Sequence, residues 1–157
     1  MKTDLTQAGP WSEEEVKAFL GDSRVPVRVA SNSASGYPLL TSLWFVPFEG
    51  SLWCATQQKA QIASQLASDP RCAFEVSVEA PPYLGVRGRA TGIIHANRGE
   101  EILRILLLRY LGDFETPPGP LLLAKVQSEV AIEIRPETLV SWDYRQRMTV
   151  GAPDSSS

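Results

Sequence analysis

Alternating apolar and polar residues run through much of the chain and predict a fold built mainly of β-strands. Between residues 24 and 56 they form three β-rich runs, separated by the turn dipeptides Ser35-Gly36 and Glu49-Gly50. Dipeptides of this kind join hairpins, so we expect a three-stranded meander. Two more runs, at residues 71–80 and 83–95, and a last strand after residue 128 bring the predicted total to six.

Two shorter segments, one before these runs and one between them, have helical patterns. Ser12 and Glu15 have the spacing of a capping box, so a helix begins there, and we expect Gly21 to end it. Apolar residues at helical spacing predict a second helix at residues 58–68. The dipeptide Asp69-Pro70 would stop that helix, because the residue before a proline disfavours helical geometry.

A longer helix is predicted at residues 98–111, capped by Gly112. It is apolar around most of its circumference, so we expect it to be buried on more than one side. Six strands in mostly hairpin order, with helices between them, predict an antiparallel barrel with flanking helices. We expect one domain over residues 1–150 and a disordered tail at residues 151–157.

Charge and composition exclude several classes of function. The net charge of −3 and pI near 5.2 give no general attraction for phosphate backbones, so nucleic-acid binding is not expected. The N-terminus lacks the apolar stretch of a signal peptide, and Arg104 and Arg109 interrupt the leucine-rich segment, so no membrane contact is expected. Cys54 and Cys72 are interpreted as reduced packing residues, and the expected location is the cytoplasm.

Few residues fit side-chain catalysis. His95 is the only histidine, which excludes a histidine metal cluster, and its place at a strand end predicts a solvated residue. The sequence contains no nucleophile elbow, dinucleotide fingerprint or phosphate-binding loop. If the protein is an enzyme, we expect the reactive group to come from a cofactor and no catalytic side chain to be needed.

Lys59 is unusual because it lies where a strand gives way to a helix. The start of a helix carries a partial positive charge, so a lysine there is unfavourable unless an anion lies beside it. If Thr56 or Gln57 caps the helix, the Thr56 hydroxyl, the first N–H groups and the Lys59 ammonium would form a phosphate pocket. The alternative is an ordinary surface lysine.

The order of segments ASGYPLLTSLWFVPFEGSLWCATQQKAQIASQLASDPRCAFEV and LGVRGRATGI resembles the flavin-binding split β-barrel proteins. This superfamily contains pyridoxamine 5′-phosphate oxidase and the deazaflavin (F420)-dependent reductases. The resemblance covers about residues 25–144. It implies a six-stranded antiparallel split barrel that forms a homodimer, with a flavin in each of two grooves between the subunits.

The resemblance also implies roles for particular residues. Thr56 and Lys59 would bind the flavin phosphate, and Trp142 would approach the flavin from the partner subunit. Gln57 is a further candidate beside the phosphate, at a position where many relatives have an arginine or a serine. The strand that lies against the isoalloxazine ring would consist of Leu40, Thr41, Ser42, Leu43 and Trp44.

The resulting hypothesis is an FMN-dependent oxidoreductase that transfers hydride to or from a small organic substrate. The alternatives are an F420-dependent reductase and a non-catalytic protein that binds flavin or haem, for which His95 is the candidate axial ligand. A second argument supports homodimerisation. One small core cannot bury all the large apolar residues of this chain, which include Trp44, Trp53, Trp142 and the leucine-rich helix, so some of them are expected at an interface between two copies.

Overall fold

In the computed structural model, which describes residues 5–149, nine strands and five helices follow one another along the chain. The strands are β1 (Thr6–Ala8), β2 (Val27–Asn32), β3 (Pro38–Leu43), β4 (Val46–Phe48), β5 (Ser51–Gln57), β6 (Arg71–Ser77), β7 (Leu84–His95), β8 (Glu129–Pro136) and β9 (Thr138–Asp143). The helices are α1 (Glu13–Asp22), α2 (Gln61–Ser68), α3 (Gly99–Leu111), α4 (Gly119–Ala124) and α5 (Arg145–Thr149). The predicted tail at residues 151–157 lies outside the described residues.

The strands form one mainly antiparallel sheet in the order β3-β2-β6-β7-β8-β5-β4, and β9 joins β7 beside β8. All six predicted runs form strands. The second run breaks at Trp44-Phe45 into β3 and β4, and the last breaks at Glu137 into β8 and β9; β1 was not predicted. The sheet curls into a half-barrel with flanking helices, as the split-barrel prediction requires.

Both hairpins of the predicted meander are present, but the three strands do not form one continuous meander. Strand β3 pairs with β2, whereas β4 pairs with β5, so the second run leaves one side of the sheet and joins the other. The change occurs at Phe45, whose side chain is fully buried and whose N–H donates to the Tyr110 hydroxyl at 3.2 Å. Burial of this aromatic ring favours the bend over a continuous strand.

One apolar core fills the curled sheet, with side chains from every long strand. Helix α2 closes the end where β5 stops: Leu66 packs over Gly92, and the Ser31 hydroxyl donates to Gln65 at 2.8 Å. Helix α1 lies at the opposite end, near the β4–β5 turn. The buried faces of α1 and α2 therefore cover the two ends of the barrel.

The helix predictions are confirmed in part. The Ser12–Glu15 capping box is present and Gly112 ends α3 in the left-handed conformation, with φ of 82°. Helix α1 continues past Gly21 to Asp22, so the predicted end is wrong by one residue. Helix α3 buries one side only, because Leu108 is 51% exposed, so the expectation of burial on several sides is wrong for the single chain.

No helix among residues 5–149 is both long enough and apolar enough to cross a membrane.

Candidate functional site

Two strand edges, those of β3 and of the last residues of β5, are unpaired within residues 5–149, and we infer an opening between them from this pairing. Within the described chain β3 pairs with β2 alone, so its second edge is unpaired. Strand β5 pairs with β4 only over Ser51–Trp53, which leaves the same edge of residues 54–57 without a neighbour. The link at Trp44-Phe45 joins β3 to β4, so these two edges border one opening. Unpaired strand edges present backbone N–H and C=O groups to whatever fills the gap.

The first edge carries the residues predicted to face a flavin ring. Leu39 and Leu43 pack against the core, and the alternate residues Leu40 and Ser42 point outward. Leu40 is 70% exposed, which is unusual for a leucine in a strand. Trp44, at the end of this edge, stacks on Tyr110 with ring centroids 4.9 Å apart and planes at 8°.

Thr56 and Gln57 lie at the end of the second edge, but neither caps a helix. Both are still in β5, paired with Val130 and Glu129, and helix α2 begins only at Gln61 with Ala60 as its N-cap. The predicted helix start at residue 58 and the predicted capping by Thr56 or Gln57 are therefore wrong. The Gln57 amide instead donates to the Glu129 carboxylate, and burial raises the pKa of Glu129.

The electrostatics at the start of α2 follow from its cap and its first turn. Ala60 provides no side-chain cap, and the first turn contains no acidic residue. Lys59 is exposed in the turn just before it, and within residues 5–149 no ion pair involves this ammonium. Free N–H groups, the helix dipole and a lysine thus add in the same sense, which favours an anion at this position.

Trp142 lies away from the opening. It is in β9, opposite Gly85 of β7, with the Arg87 guanidinium 5.3 Å from its ring centroid. Strands β2, β6 and β7 separate β9 from β3. A single chain therefore does not bring Trp142 together with Leu40 and Lys59.

The outer face of these strands forms a broad depression of about 630 Å³. Paired positions across the sheet put Leu40, Ala30, Ala73 and Arg89 in one row. Small residues form its floor, and its two ends carry an exposed leucine and an exposed arginine. Trp142 belongs to the same face.

Sequence reasoning missed two residues beside β3. The Arg28 guanidinium donates to the Ser42 hydroxyl at 3.0 Å and to Glu79 at 2.6 Å. The alternation of apolar and polar residues in β2 predicts that Arg28 points outward. That it lies beside Ser42 depends on the register of β2 against β3, which the alternation does not determine. Tyr110, on α3, carried no local signal because its contacts with Trp44 and Phe45 are 65 residues or more apart in sequence.

Two predicted exposures are wrong. Trp53 is 3% exposed, packed between the sheet and α3, so it is not available to a partner. His95 is not simply solvated: its Nε2 lies 3.0 Å from the Glu133 carboxylate and its ring contacts Trp53 at 4.9 Å. That contact holds His95 on the face covered by α3, outside the opening.

Among residues 5–149 no three His, Cys, Asp or Glu side chains come together in a way that could hold a metal ion.

Several solved structures share the fold of this chain. A conserved hypothetical protein, Rv2991 from Mycobacterium tuberculosis, is 26% identical over 94% of this chain and 92% of its own, with a TM-score of 0.75. A structure named F420 reductase is 24% identical over 76% of this chain and 92% of its own, with a TM-score of 0.61. A FAD-binding protein from Mesorhizobium loti is 18% identical over 83% and 93%, with a TM-score of 0.58.

No curated protein matches the chain. The family model described as pyridoxamine 5′-phosphate oxidase matches residues 12–143, which span every strand from β2 to β9 and the whole border of the opening. The chain therefore belongs to the pyridoxamine 5′-phosphate oxidase family.

Proposed function

We propose that the protein binds FMN in the opening between β3 and β5 and acts as an oxidoreductase on a small organic substrate. The observation that carries this proposal is the uncapped start of α2 with Lys59 beside it, at the end of an opening bordered by two unpaired strand edges. Family membership supports a flavin-type cofactor, as do the F420 reductase and the FAD-binding protein among its structural neighbours.

The residues present fit the two halves of such a cofactor. The free N–H groups of α2 and the Lys59 ammonium would hold the phosphate. The unpaired backbone groups of β3 would hydrogen-bond the polar edge of the ring, and the exposed Leu40 would cover part of its apolar surface. Bound FMN would supply the hydride chemistry, which explains why no catalytic side chain is needed.

The charges near α2 favour FMN over F420. One lysine suits a single phosphate, whereas the tail of F420 carries several additional carboxylates. The groove beside α2, on the side of the β2–β3 hairpin, is lined by serine, asparagine and glutamine side chains and by the Asp69 carboxylate, without a cation. An anionic tail would gain little along that surface.

The proposed functional unit is a homodimer. Strands β2, β6 and β7 lie between β3 and the strand of Trp142, β9. Only a second copy of the chain could therefore bring this side chain to the same cofactor. The broad outer depression, with Leu40 at one end and Arg89 at the other, offers a surface for that contact. Light scattering at micromolar concentration tests this point, and a monomer would exclude a site shared between subunits.

The cofactor assignment is tested by mass spectrometry of small molecules released from the native protein, for wild type, Lys59→Ala and Lys17→Ala. Lys17 is an exposed lysine of α1, paired with Glu13 at 3.5 Å, and serves as the matched control. A charge-assisted contact contributes about 1.5–3 kcal/mol, so Lys59→Ala should weaken FMN binding roughly 10- to 100-fold. Equal FMN retention by all three proteins would remove Lys59 from the site, and release of F420 or haem would refute FMN.

A further inference from the structure

A row of four side chains crosses the outer face of the sheet, from the border of the opening to β7. The strand register places Ser42 of β3, Arg28 of β2, Glu75 of β6 and Arg87 of β7 next to one another. The last three line the outer depression. The charges along this row therefore follow the order neutral, positive, negative, positive.

A second row, parallel to the first, has small residues in its middle. It consists of Leu40, Ala30, Ala73 and Arg89 from the same four strands. An alanine side chain extends only one carbon atom from the backbone. Another surface can therefore approach the sheet closely at the middle of this row.

The two rows are complementary to themselves under a two-fold axis that lies along the face, parallel to the strands, between β2 and β6. Such an axis would place β6 of a second copy on β2 of the first copy, and β7 of the second copy on β3. Arg28 would then face Glu75 of the partner subunit, and Ala30 would face Ala73 of the partner subunit. Opposite charges and small side chains thus meet, which is the self-complementarity that a two-fold interface requires.

The same axis also positions β9 of the second copy. At this height of the sheet, β9 is the neighbour of β7 on the side away from β6, since Arg87 pairs with Val140 and Gly85 pairs with Trp142. The second copy would therefore place β9 beyond the unpaired edge of β3, over the opening. Trp142 of the partner subunit would reach the proposed flavin site in this way.

This arrangement leaves Arg87 without a carboxylate. Arg87 of the partner subunit would face Ser42, which is uncharged and already accepts a hydrogen bond from Arg28 at 3.0 Å. Within one chain, Arg87 belongs to none of the ion pairs among residues 5–149. The Glu75 carboxylate beside it accepts a hydrogen bond from the Ser77 hydroxyl at 3.0 Å.

Trp142 keeps this positive charge at the flavin site. The Arg87 guanidinium lies 5.3 Å from the centroid of the Trp142 ring, and such a cation–π contact holds the two side chains together. A dimer that brings Trp142 of the partner subunit to the opening therefore brings Arg87 of the partner subunit as well. A cation at the border of the opening, with an uncharged residue opposite, attracts an anion.

We propose that Arg87 of the partner subunit binds an anionic group of the substrate, and that the substrates are small organic carboxylates. A planar guanidinium recognises a carboxylate through two parallel hydrogen bonds, so it would also orient the substrate at the flavin ring. This inference rests on the flavin site and the homodimer of the proposed function, and it adds the charge of the substrate and a residue that selects it.

The test compares benzoate with benzamide, which has nearly the same shape but no charge. Both are titrated into the full-length protein loaded with FMN, and binding is followed by the change in flavin absorption, which requires no turnover. We expect benzoate to bind about 10- to 100-fold more tightly than benzamide, since hydrogen bonds between charged groups are stronger than those between neutral groups.

Two variants and one control assign this preference to a side chain. Arg87→Gln should make the two affinities equal without loss of FMN, and Arg87→Lys should restore part of the preference because it restores the charge. The control Arg104→Gln removes the same charge from α3, where Arg104 pairs with Glu100 at 3.1 Å, and should leave both affinities unchanged.

Mixed dimers show whether Arg87 acts across subunits. Lys59→Ala and Arg87→Gln chains are co-expressed with different affinity tags, and the mixed dimer is loaded at an FMN concentration that fills only the opening with an intact Lys59. That opening belongs to the Arg87→Gln chain and borders the intact Arg87 of the partner subunit, so we expect the full preference for benzoate. An arginine that acted within its own chain would give no preference.

The outcomes distinguish the substrate site from the flavin site. Wild-type protein that takes up no FMN would refute both. FMN-loaded protein that binds benzoate no more tightly than benzamide, or a preference that is unchanged in Arg87→Gln, would overturn the substrate site and leave the flavin site standing. A mixed dimer without the preference would overturn the assignment of Arg87 to the partner subunit.

Discussion

Replacing Gly88 by alanine should push strands β7 and β9 apart. The two strands approach each other so closely at Gly88 that no side chain larger than a hydrogen atom fits between them. A Cβ atom at Gly88 would lie 1.8 Å from the carbonyl oxygen of Thr138 and 3.1 Å from the Phe74 ring. Ordinary van der Waals contacts at such a position begin near 3.4 Å. Because the first obstacle is backbone, β9 has to move away from β7, and it cannot do so by a change of rotamer.

The expected loss can be worked out from the bonds that cross this junction. The Arg89 N–H donates to the Thr138 hydroxyl at 2.9 Å, and the Glu137 N–H donates to the Arg89 carbonyl at 2.8 Å. Each contributes about 1 kcal/mol, and overpacking typically adds about 1–3 kcal/mol. Gly88→Ala should therefore destabilise the protein by about 3–5 kcal/mol. This is a large part of the free energy of unfolding of a typical domain, which is about 5–15 kcal/mol.

Urea unfolding followed by tryptophan fluorescence measures this loss, and thermal unfolding should show a fall of about 6–20 °C. The control is Gly21→Ala, because a Cβ atom at Gly21 meets nothing within 4 Å and the residue lies inside α1. Alanine is the better helix former, so this variant should gain about 0.5 kcal/mol. A Gly88→Ala protein as stable as wild type would refute the close approach of β7 and β9.

Two further predictions concern the hydrogen bonds that fix the site and α1. Tyr110→Phe removes the acceptor of the Phe45 N–H, 3.2 Å away, so the free energy of unfolding should fall by about 1–3 kcal/mol, measured in urea. Hydrogen bonds from Arg145 and Trp11 hold the pKa of Asp143 well below its usual range. Its stabilising contribution is therefore complete above the unfolded pKa of about 3.9 and is lost as pH falls below it. The Asp143→Asn variant should lose less stability than wild type between about pH 5 and pH 2.

The strands could be predicted from the sequence because one face of each is buried in the same core. In β7, Val86 and Ala90 are buried while Arg87 and Arg89 are exposed, as their alternation predicts. The pattern alone could not reveal that the second run changes neighbours at Phe45. That change depends on Tyr110 of α3, and sequence alternation contains no information about such distant partners.

At the start of α2, the electrostatic argument of the sequence analysis rested on a local structure that is wrong. The prediction assumed that Thr56 or Gln57 would cap the helix, since such caps are common. The chain instead extends β5 to Gln57 and turns at Gln58, whose N–H donates to the Ser128 carbonyl at 2.7 Å. This contact crosses 70 residues of sequence, and it moves the start of the helix beyond Lys59.

The argument for a dimer changes in a similar way. Trp53 cannot contribute because it is buried under α3, and Trp44 is partly covered by Tyr110. The exposed large apolar residues include Leu40 on the sheet and Leu108 on α3. Leu40 is the more informative of the two, since it lies on the same face as Trp142 and at the border of the opening.

The break at Trp44-Phe45 leaves room for the proposed site. If β3 continued as one straight strand beside β5, its second edge would be paired and its backbone groups would be unavailable. Because Phe45 is drawn into the core, β3 and the last residues of β5 are held apart while the chain still connects them. Replacing Phe45 by leucine, which fills less of the core, should therefore loosen both edges and reduce cofactor retention together with stability. If retention fell while the free energy of unfolding stayed unchanged, Phe45 would act on the cofactor directly and not through the bend.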